Sequence, residues 1–219
     1  MKLIEPNTPS WYESRIGKFT ASCFGLLMTS PADKTRSLSR TAEKYIRQKA
    51  RECRFGRSFE EEKDFPAIHW GYRYEAEALE AFACYMEEYE VKAGGLSFHP
   101  DWPDVGATPD ALLYEKGSGT PCATLQVKCP HKTHNHLKYC EKIHDGPSLK
   151  KVAKKYYWQV QGEMWVFDLP EAWFISYDPR LPEGEDIHYV RILRNEDDLA
   201  LLTASLLRAI TLRDEWAGL

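Results

Sequence analysis

Short apolar and alternating segments predict a series of β-strands in the middle and second half of the chain. Residues 171–177 and 187–193 alternate apolar and polar positions, as strands with one buried face do, and we expect them to pair. Further strands are predicted over residues 91–99, 105–108, 111–114 and 123–128. Because Pro109 stands between residues 105–108 and 111–114, these two segments form either two short strands or one broken strand. The glycines of residues 116–121 predict a hairpin turn.

Apolar residues at helical spacing predict helices around these strands. The longest is expected over residues 67–89, with Leu79 and Phe82 on its apolar stripe. Thr20 or Ser22 is expected to cap a short helix that ends near residue 28. The other helices are predicted over residues 38–53, 135–142, 150–167 and 196–215. This order of elements predicts an α/β fold in which a central mixed sheet is flanked by helices.

Composition narrows the class of protein but does not identify it. With 219 residues, 43% apolar and 28% charged, the chain is expected to form one globular domain over residues 1–219. The sequence shows no run of roughly 20 apolar residues and no apolar leader, so we expect a cytoplasmic protein without membrane contact. A net charge of −4 argues against a uniformly basic DNA-binding surface, although a local basic lining remains compatible with DNA. The cysteines form no CxxC pair and are expected to be buried thiols: Cys23, Cys53, Cys84, Cys122, Cys129 and Cys140.

Two neighbouring strands carry the residues that point to chemistry. Asp110 precedes the strand over residues 111–114, whereas Gln126 and Lys128 lie two positions apart on the next strand and therefore share a face. An acid and a lysine at one sheet edge suit metal-assisted hydrolysis of a phosphodiester, to which the carbonyl of Val127 can add an oxygen ligand. Gln126 stands where this chemistry needs a carboxylate. Glu75, on the apolar stripe of the long helix, is either a further metal ligand or a glutamate that reaches solvent.

Other polar residues leave alternatives open. Arg15 precedes the helix capped by Thr20 or Ser22 and is either a phosphate ligand or an ordinary surface arginine. Gln161 shares a helical stripe with apolar residues and is expected to point towards the core or the site. Three histidines, His131, His134 and His136, do not have the spacing of a zinc site and are expected in a polar loop beside the site. A lysine cluster either stays solvated or contacts a DNA backbone: Lys150, Lys151, Lys154 and Lys155.

Six short motifs occur in an order that resembles the YqaJ-type viral recombinases, the phage lambda exonuclease family within the PD-(D/E)xK nuclease superfamily. They are Trp11-Tyr-x-x-Arg15 with Thr20-Ala-Ser22, Trp70-Gly-x-x-x-Glu75, Gly106-x-x-Pro-Asp110, Gln126-x-Lys128-Cys-Pro130, Gln159-x-Gln161 and Tyr177-Asp-Pro-Arg180. One such motif arises easily by chance, whereas six in order cover most of the chain. The resemblance implies a restriction-endonuclease-like core.

The resemblance also implies a function. It is that of a Mg²⁺-dependent 5′→3′ exonuclease, with two ions in each active site and Mn²⁺ able to substitute, which degrades one strand of linear duplex DNA from a 5′-phosphorylated end. The 3′ overhang that remains is used by a single-strand annealing protein in recombination. The family forms a ring-shaped homotrimer through which DNA threads. A related endonuclease and a DNA-end-binding protein without catalysis are the competing interpretations.

The resemblance assigns roles residue by residue. Glu75, Asp110 and the position of Gln126 match the acidic metal ligands, and Val127 matches the residue whose carbonyl joins them. Lys128 matches the catalytic lysine, and Gln161 matches a glutamine near the attacking water. The residues that match contacts to the terminal 5′-phosphate are Arg15, Ser22, Thr108 and, approximately, His134.

Gln126 departs from the family pattern because it leaves two carboxylates where the family has three. Weaker occupancy of one metal site and slow or absent cleavage are therefore expected. Three explanations are open: a natural homologue that binds without cutting, a natural site with a rearranged acid, or a deliberate Glu→Gln change. The isosteric nature of the change, with the neighbouring motif residues intact, favours the third.

Overall fold

A computed structural model describes residues 3–59 and 65–219. The larger of its two sheets has the strand order β2-β5-β6-β7-β8. These strands are β2 (Tyr89–Ala93), β5 (Ala111–Glu115), β6 (Pro121–Lys128), β7 (Glu171–Tyr177) and β8 (Ile187–Leu193). Strands β6 and β7 run parallel and the other pairs antiparallel, which makes the sheet mixed. The predicted pairing of residues 171–177 with 187–193 and the hairpin before residue 123 are confirmed.

Helices cover both faces of the larger sheet. They are α1 (Pro9–Ser14), α2 (Ala21–Leu27), α3 (Arg40–Phe55), α4 (Pro66–Tyr85), α5 (Thr133–Lys142), α6 (Gly146–Val152), α7 (Lys154–Phe167) and α8 (Glu196–Ala217). Side chains of α2, α3, α7 and α8 form one apolar core with Leu112 and Phe174 of the sheet. Helix α4 forms a second core with Leu113 and Ile175. Neighbouring residues along a strand thus point to opposite faces, as the period of two requires.

A smaller sheet joins β1 (Phe19–Thr20), β4 (Trp102–Ala107) and β3 (Ser97–His99) in the order β1-β4-β3. It places the chain so that the turn from β4 to β5 enters the larger sheet at Asp110. Gly94 lies against this turn, and a Cβ on Gly94 would lie 1.9 Å from the carbonyl oxygen of Pro109. Only glycine fits this close approach of two backbones.

Three predicted elements differ from the structure. The long helix ends at Tyr85 instead of residue 89, since the chain turns at Met86 and Tyr89 begins a strand paired with Glu115. The single strand expected over residues 91–99 is two strands in different sheets, separated at the Gly94-Gly95 bend. The helix expected over residues 150–167 is broken at Ala153, whose φ of −142° is not helical.

The cysteines are less buried than the sequence suggested. Five of the six are partly exposed and Cys84 is exposed, so the expectation of buried thiols was wrong in degree. All six are free thiols. Among the described residues, none of the helices is both long enough and apolar enough to cross a bilayer.

Candidate active site

Asp110 is held at the junction of both sheets by backbone contacts. Its N–H donates to the carbonyl of Leu125 on β6 over 3.0 Å, and its own carbonyl accepts from the N–H of Gly94 over 3.1 Å. The carboxylate accepts a further hydrogen bond, of 2.6 Å, from the N–H of Val127. The Asp110 side chain is therefore fixed beside the last residues of β6.

Gln126 pairs with Asp110 through its amide nitrogen. Its Nε2 donates to Oδ2 of Asp110, while its Oε1 accepts from Nε2 of Gln159 on α7. The predicted role of Gln126 as a metal ligand therefore does not match this arrangement, because the donor end of the amide faces the carboxylate and the carbonyl oxygen faces α7. A hydrogen bond from an amide to a carboxylate is favourable, whereas two carboxylates at this distance would repel each other.

A buried glutamate completes this chain of hydrogen bonds. Nε2 of Gln159 also donates to Oε1 of Glu163 over 2.9 Å. The Glu163 side chain is fully buried, and its Oε2 has no hydrogen-bond partner. Burial, and next the charge of Asp110, raise the pKa of Glu163 well above its ordinary value. Burial also raises the pKa of Asp110, against the opposing effects of the Lys128 ammonium and the Val127 N–H.

Glu75 and Lys128 lie at a cavity of about 450 Å³ between α4 and the end of β6. Glu75 lines this cavity from α4, and Lys128 and the backbone of Val127 line it from β6. Burial, followed by the charge of Asp110, raises the pKa of Glu75 to about 7, while Lys128 lowers it. Nζ of Lys128 lies 5.0 Å from the centre of the Tyr156 ring, which holds the ammonium against α7.

Arg180 stabilises the wall of the cavity through hydrogen bonds and stacking. It donates to the backbone carbonyls of Pro130 and His131 over 3.3 and 3.0 Å, and its guanidinium stacks on Trp70 at 4.4 Å. The fully buried Asp178 accepts from it over 2.7 Å. Two of the six motifs, around Trp70 and Asp178, thus join α4 to the loop after β6.

Gln161 does not face the carboxylates. Its Nε2 donates to the carbonyl of Leu193 and its Oε1 accepts from the N–H of Asn195, each over 2.9 Å. The side chain therefore joins α7 to the start of α8, and the prediction that Gln161 lies near an attacking water was wrong. Gln159, two residues earlier, occupies that side of the helix, since a shift of two residues turns the side chain by about 200°.

The structure brings two of the predicted phosphate contacts together through Trp11. The guanidinium of Arg15 stacks on the Trp11 ring at 3.8 Å, and the indole Nε1 donates to Oγ1 of Thr108 over 3.2 Å. Arg15 also donates to Thr20 over 3.4 Å, and its Nε is buried without a partner. Ser22 is exposed on the first turn of α2. Thr108 stands two residues before Asp110, so this group of side chains adjoins the site.

The histidine segment has mixed roles. His136 is fully buried and bonded to Oγ of Ser176 and to the carbonyl of Glu185, so the expectation of a polar loop was wrong for it. His131 lies at the cavity, whereas His134 is exposed on α5 and is not among the residues that line it.

The lysine cluster is partly occupied by structural contacts. Lys150 forms an ion pair of 2.6 Å with Asp198, and Lys154 donates to the carbonyl of Met28 over 3.1 Å. Lys155 lies over the Tyr156 ring at 4.4 Å.

The residues around the cavity suit a hard cation. Two carboxylates, from Glu75 and Asp110, and the backbone oxygen of Val127 are the ligands that Mg²⁺ prefers, and Mg²⁺ commonly keeps several waters beside one or two carboxylates. In the part of the chain that the structure describes, no three His, Cys, Asp or Glu side chains converge on one point. Glutamine in place of a glutamate at position 126 leaves the site one carboxylate short, which agrees with this finding.

Sequence reasoning missed Glu163, Gln159 and Tyr156 as residues of the site. They lie on α7 at positions i (Tyr156), i+3 (Gln159) and i+7 (Glu163), and therefore share one face of that helix. Their spacing was visible in the sequence, but nothing in it showed that this face, and not that of Gln161, turns towards β6.

Known structures share this fold over nearly the whole chain. An alkaline exonuclease from Laribacter hongkongensis superposes with a TM-score of 0.79 at 23% identity, covering 96% of this chain and 95% of that one, and it has also been solved in complex with dAMP. A phage-related exonuclease from Haemophilus somnus gives a TM-score of 0.66 at 16% identity, with 91% and 93% coverage. The predicted α/β fold, with its mixed sheet between helices, is thereby confirmed.

The sequence itself matches a family model. A comparison with curated protein sequences finds no match. The model of the YqaJ-like viral recombinase domain matches residues 10–170, which include Asp110, Gln126, Lys128 and the buried face of α7. The match spans more than half of the chain and agrees with the order of motifs, so this chain belongs to the YqaJ-like viral recombinase family.

Proposed function

We propose that this protein is a Mg²⁺-dependent 5′→3′ exonuclease that acts on the ends of linear double-stranded DNA and leaves 3′ overhangs. The observation that carries the proposal is that Glu75 and Lys128 line one cavity at the end of β6, while the Asp110 carboxylate accepts from the N–H of Val127, which lines the same cavity. The exonuclease names of the structures that share its fold also support it.

Asp110, Glu75 and the carbonyl of Val127 are the residues that would hold Mg²⁺. When bound, the cation neutralises charge on the phosphate and lowers the pKa of a water molecule. We expect two ions per site, by family resemblance, and Mn²⁺ as a substitute. The charge removed at Gln126 weakens one of these positions, so we propose that cleavage is slower than with glutamate there.

Lys128 supplies the positive charge of the site. Its ammonium lies on the same face of β6 as Gln126 and is held against Tyr156. From there the ammonium, which can only donate hydrogen bonds, would orient the attacking water by donating to the water and to the scissile phosphate. The cavity beside Lys128 is large enough for a nucleotide, and Arg180 keeps its wall in place.

The terminal 5′-phosphate would bind near Arg15. The buried Nε of Arg15 is free to donate, and Thr108 connects this arginine through Trp11 to the backbone beside Asp110. A phosphate held here lies on the Asp110 side of the site, which would favour 5′-phosphorylated ends. Ser22 and His134 are exposed and remain proposed contacts.

Family resemblance also supports the proposed partners. They are a second and third copy of this chain in a ring-shaped trimer, and a single-strand annealing protein that takes up the 3′ overhang. A trimer that encloses the duplex would let the enzyme degrade one strand without dissociating.

End-labelled DNA tests the activity and its polarity. Linear duplexes carrying a 5′-phosphate or a 5′-hydroxyl, with label on one strand, and a closed circle of the same sequence are incubated with Mg²⁺. We expect mononucleotides from the 5′ end, a preference for the 5′-phosphate, and no product from the circle. Arg15→Ala should remove the 5′-phosphate preference, whereas the matched control Arg54→Ala, an exposed arginine at the end of α3, should keep it.

Two outcomes would contradict the proposal, and each would indicate a different function. Nicks in the closed circle would indicate an endonuclease built on the same core. Binding of DNA ends without Mg²⁺, together with no cleavage even after Gln126→Glu, would indicate an end-binding protein without catalysis.

A further inference from the structure

We propose that Glu163 on α7 supplies the third carboxylate charge of the site, which glutamine at position 126 of β6 cannot provide. The inference rests on the proposed function, because it assigns a residue to the same cation site. Glu163 acts as a positioning residue, through Gln159, and not as a direct ligand. The site would then be a natural one in which the acid has changed its place, the second of the three explanations for Gln126.

The geometry places Glu163 directly behind the changed position. One amide group, Nε2 of Gln159, donates both to Oε1 of Gln126 and to Oε1 of Glu163. Gln126 in turn donates to Asp110. The unbroken path Glu163, Gln159, Gln126, Asp110 means that the orientation of each amide depends on the carboxylates at the two ends.

The burial of Glu163 has no structural explanation in its surroundings. Its Oε2 has no hydrogen-bond partner, although the side chain is fully buried. The salt bridges of the described residues do not include it, and an unpaired buried carboxylate costs several kcal/mol of stability in general. Its neighbours on α7, Val160 and Met164, belong to the apolar core. An acid is kept here at a cost, which is typical of functional sites.

A cation beside Asp110 would remove that cost. Burial favours the neutral form of Glu163 in the metal-free protein, whereas a cation beside Asp110, to which Gln159 and Gln126 connect Glu163, would favour the charged form. In a buried site of low dielectric, one more carboxylate charge raises the affinity for a divalent cation by at least about tenfold. Glu163 thus restores to the centre the count of three acids, with Gln159 transmitting its effect to Gln126.

Manganese binding tests the proposal without requiring catalysis. Free Mn²⁺ is measured by electron paramagnetic resonance during titration of the unchanged chain and of four variants: Glu163→Gln, Gln126→Glu, the double variant Gln126→Glu/Glu163→Gln, and Asp110→Asn. We expect Glu163→Gln to weaken Mn²⁺ binding at least about tenfold and the double variant to return to within about threefold of the unchanged chain. Recovery in the double variant distinguishes a supplied charge from a merely structural role.

Asp168→Asn is the matched control, because it removes one negative charge from the exposed end of the same helix. It should leave Mn²⁺ binding unchanged. Melting temperatures of all variants show whether each one folds; the isosteric glutamine at position 163 keeps an oxygen that can accept from Gln159. If Glu163→Gln alone fails to fold, the double variant and Gln126→Glu still report whether a carboxylate on β6 replaces the one on α7.

The remaining outcomes separate the two proposals. If Glu163→Gln binds Mn²⁺ as the unchanged chain does while Asp110→Asn loses it, the role of Glu163 is wrong and the proposed function stands. If Glu163→Gln weakens binding and Gln126→Glu does not restore it, Glu163 is structural and the inference is overturned. If Asp110→Asn binds as tightly as the unchanged chain, the cation site is not here, and the proposed function and the inference both fail.

Discussion

Two buried glutamates differ in how completely their carboxylates are hydrogen-bonded. Glu52 on α3 is 1% exposed, and it accepts from the backbone N–H of Gly17 over 2.9 Å, from Gln48 over 3.0 Å and from the buried ammonium of Lys49 over 2.9 Å. Glu163 on α7 is equally buried, but it accepts one hydrogen bond, and its second oxygen has none.

The difference indicates what each acid is for. Glu52 balances a buried cation and fixes the turn at Gly17, whose φ of +70° favours glycine, so its contacts are those of a structural ion pair. Glu163 lies in a chain of amides that ends at Asp110, and it lacks a cation of its own. A buried acid with incomplete bonding beside other acids is typical of a site that binds a positive charge.

The largest effect on stability is expected for the structural acid. Glu52→Gln removes the carboxylate that pairs with the buried Lys49 ammonium over 2.9 Å, so the free energy of unfolding should fall by about 3 kcal/mol. Urea unfolding measures it. Glu43→Gln on the same helix, which breaks more exposed pairs with Arg36 and Arg47, should cost less than about 1 kcal/mol. Equal losses in the two variants would show that Glu52 is not a structural pair.

A carboxylate returned to β6 should raise activity. Gln126→Glu places a third acid next to Asp110, and the rate of nucleotide release from linear duplex with Mg²⁺ should rise about tenfold, which corresponds to about 1.4 kcal/mol in the barrier. Gln161→Glu, at a side chain that contacts Leu193 and Asn195 and not the carboxylates, is the control and should not raise the rate. Equal rates of the unchanged chain and Gln126→Glu would mean that position 126 does not limit cleavage.

Glu163 should be dispensable for folding. Replacing it by methionine removes the unpartnered oxygen, and the metal-free protein should become more stable by about 1 kcal/mol, or about 2–4 °C in melting temperature. The same variant should lose Mn²⁺ binding. A fall in melting temperature comparable to that of Glu52→Gln would place Glu163 in the same structural class.

The smallest expected effect is a dependence on pH. The pKa of Glu75 is raised to about 7, so this group favours the folded metal-free protein at low pH, and its contribution is lost as pH rises from its ordinary pKa of 4.5 towards 7. Mg²⁺ must displace this proton at about pH 6 but not at about pH 8. The rise in melting temperature on adding Mg²⁺ should therefore be larger at the higher pH, and Glu75→Gln should reduce that difference. A larger rise at the lower pH would contradict the assignment.

Much of the fold could be predicted because its periodicities are strong. The alternation in residues 171–177 and 187–193 gave the paired strands β7 and β8, and the apolar stripe around Phe82 gave α4. The ends of α4 and the break at Ala153 depend on how strands compete with helices for the same residues. That competition is decided by tertiary pairing, which a local pattern does not contain.

The site residues were predictable except for those on α7, where the face that turns towards β6 was unknown. Lys128 and Glu75 line one cavity, and Asp110 is bonded to Val127 beside it, because the strand positions and the order of the motifs bring these elements together. The motif and the helical stripe favoured Gln161, but the sequence does not determine which face of α7 turns towards β6, and both Gln159 and Gln161 are buried. Glu163 was not predicted because the sequence alone does not show whether an acid on an apolar helix is buried or exposed.

The central claim is that Asp110 forms a cation-dependent nuclease centre with the end of β6. Its most direct test is the release of acid-soluble nucleotides from a uniformly labelled, 5′-phosphorylated linear duplex, measured in parallel for the unchanged chain and for Asp110→Asn, with Mg²⁺ and with a chelator. Release by the unchanged chain that stops with the chelator and falls by about a thousandfold in Asp110→Asn is the predicted result, since several kcal/mol of charge stabilisation are lost. Equal release by both proteins, or release that persists in the chelator, would contradict the claim.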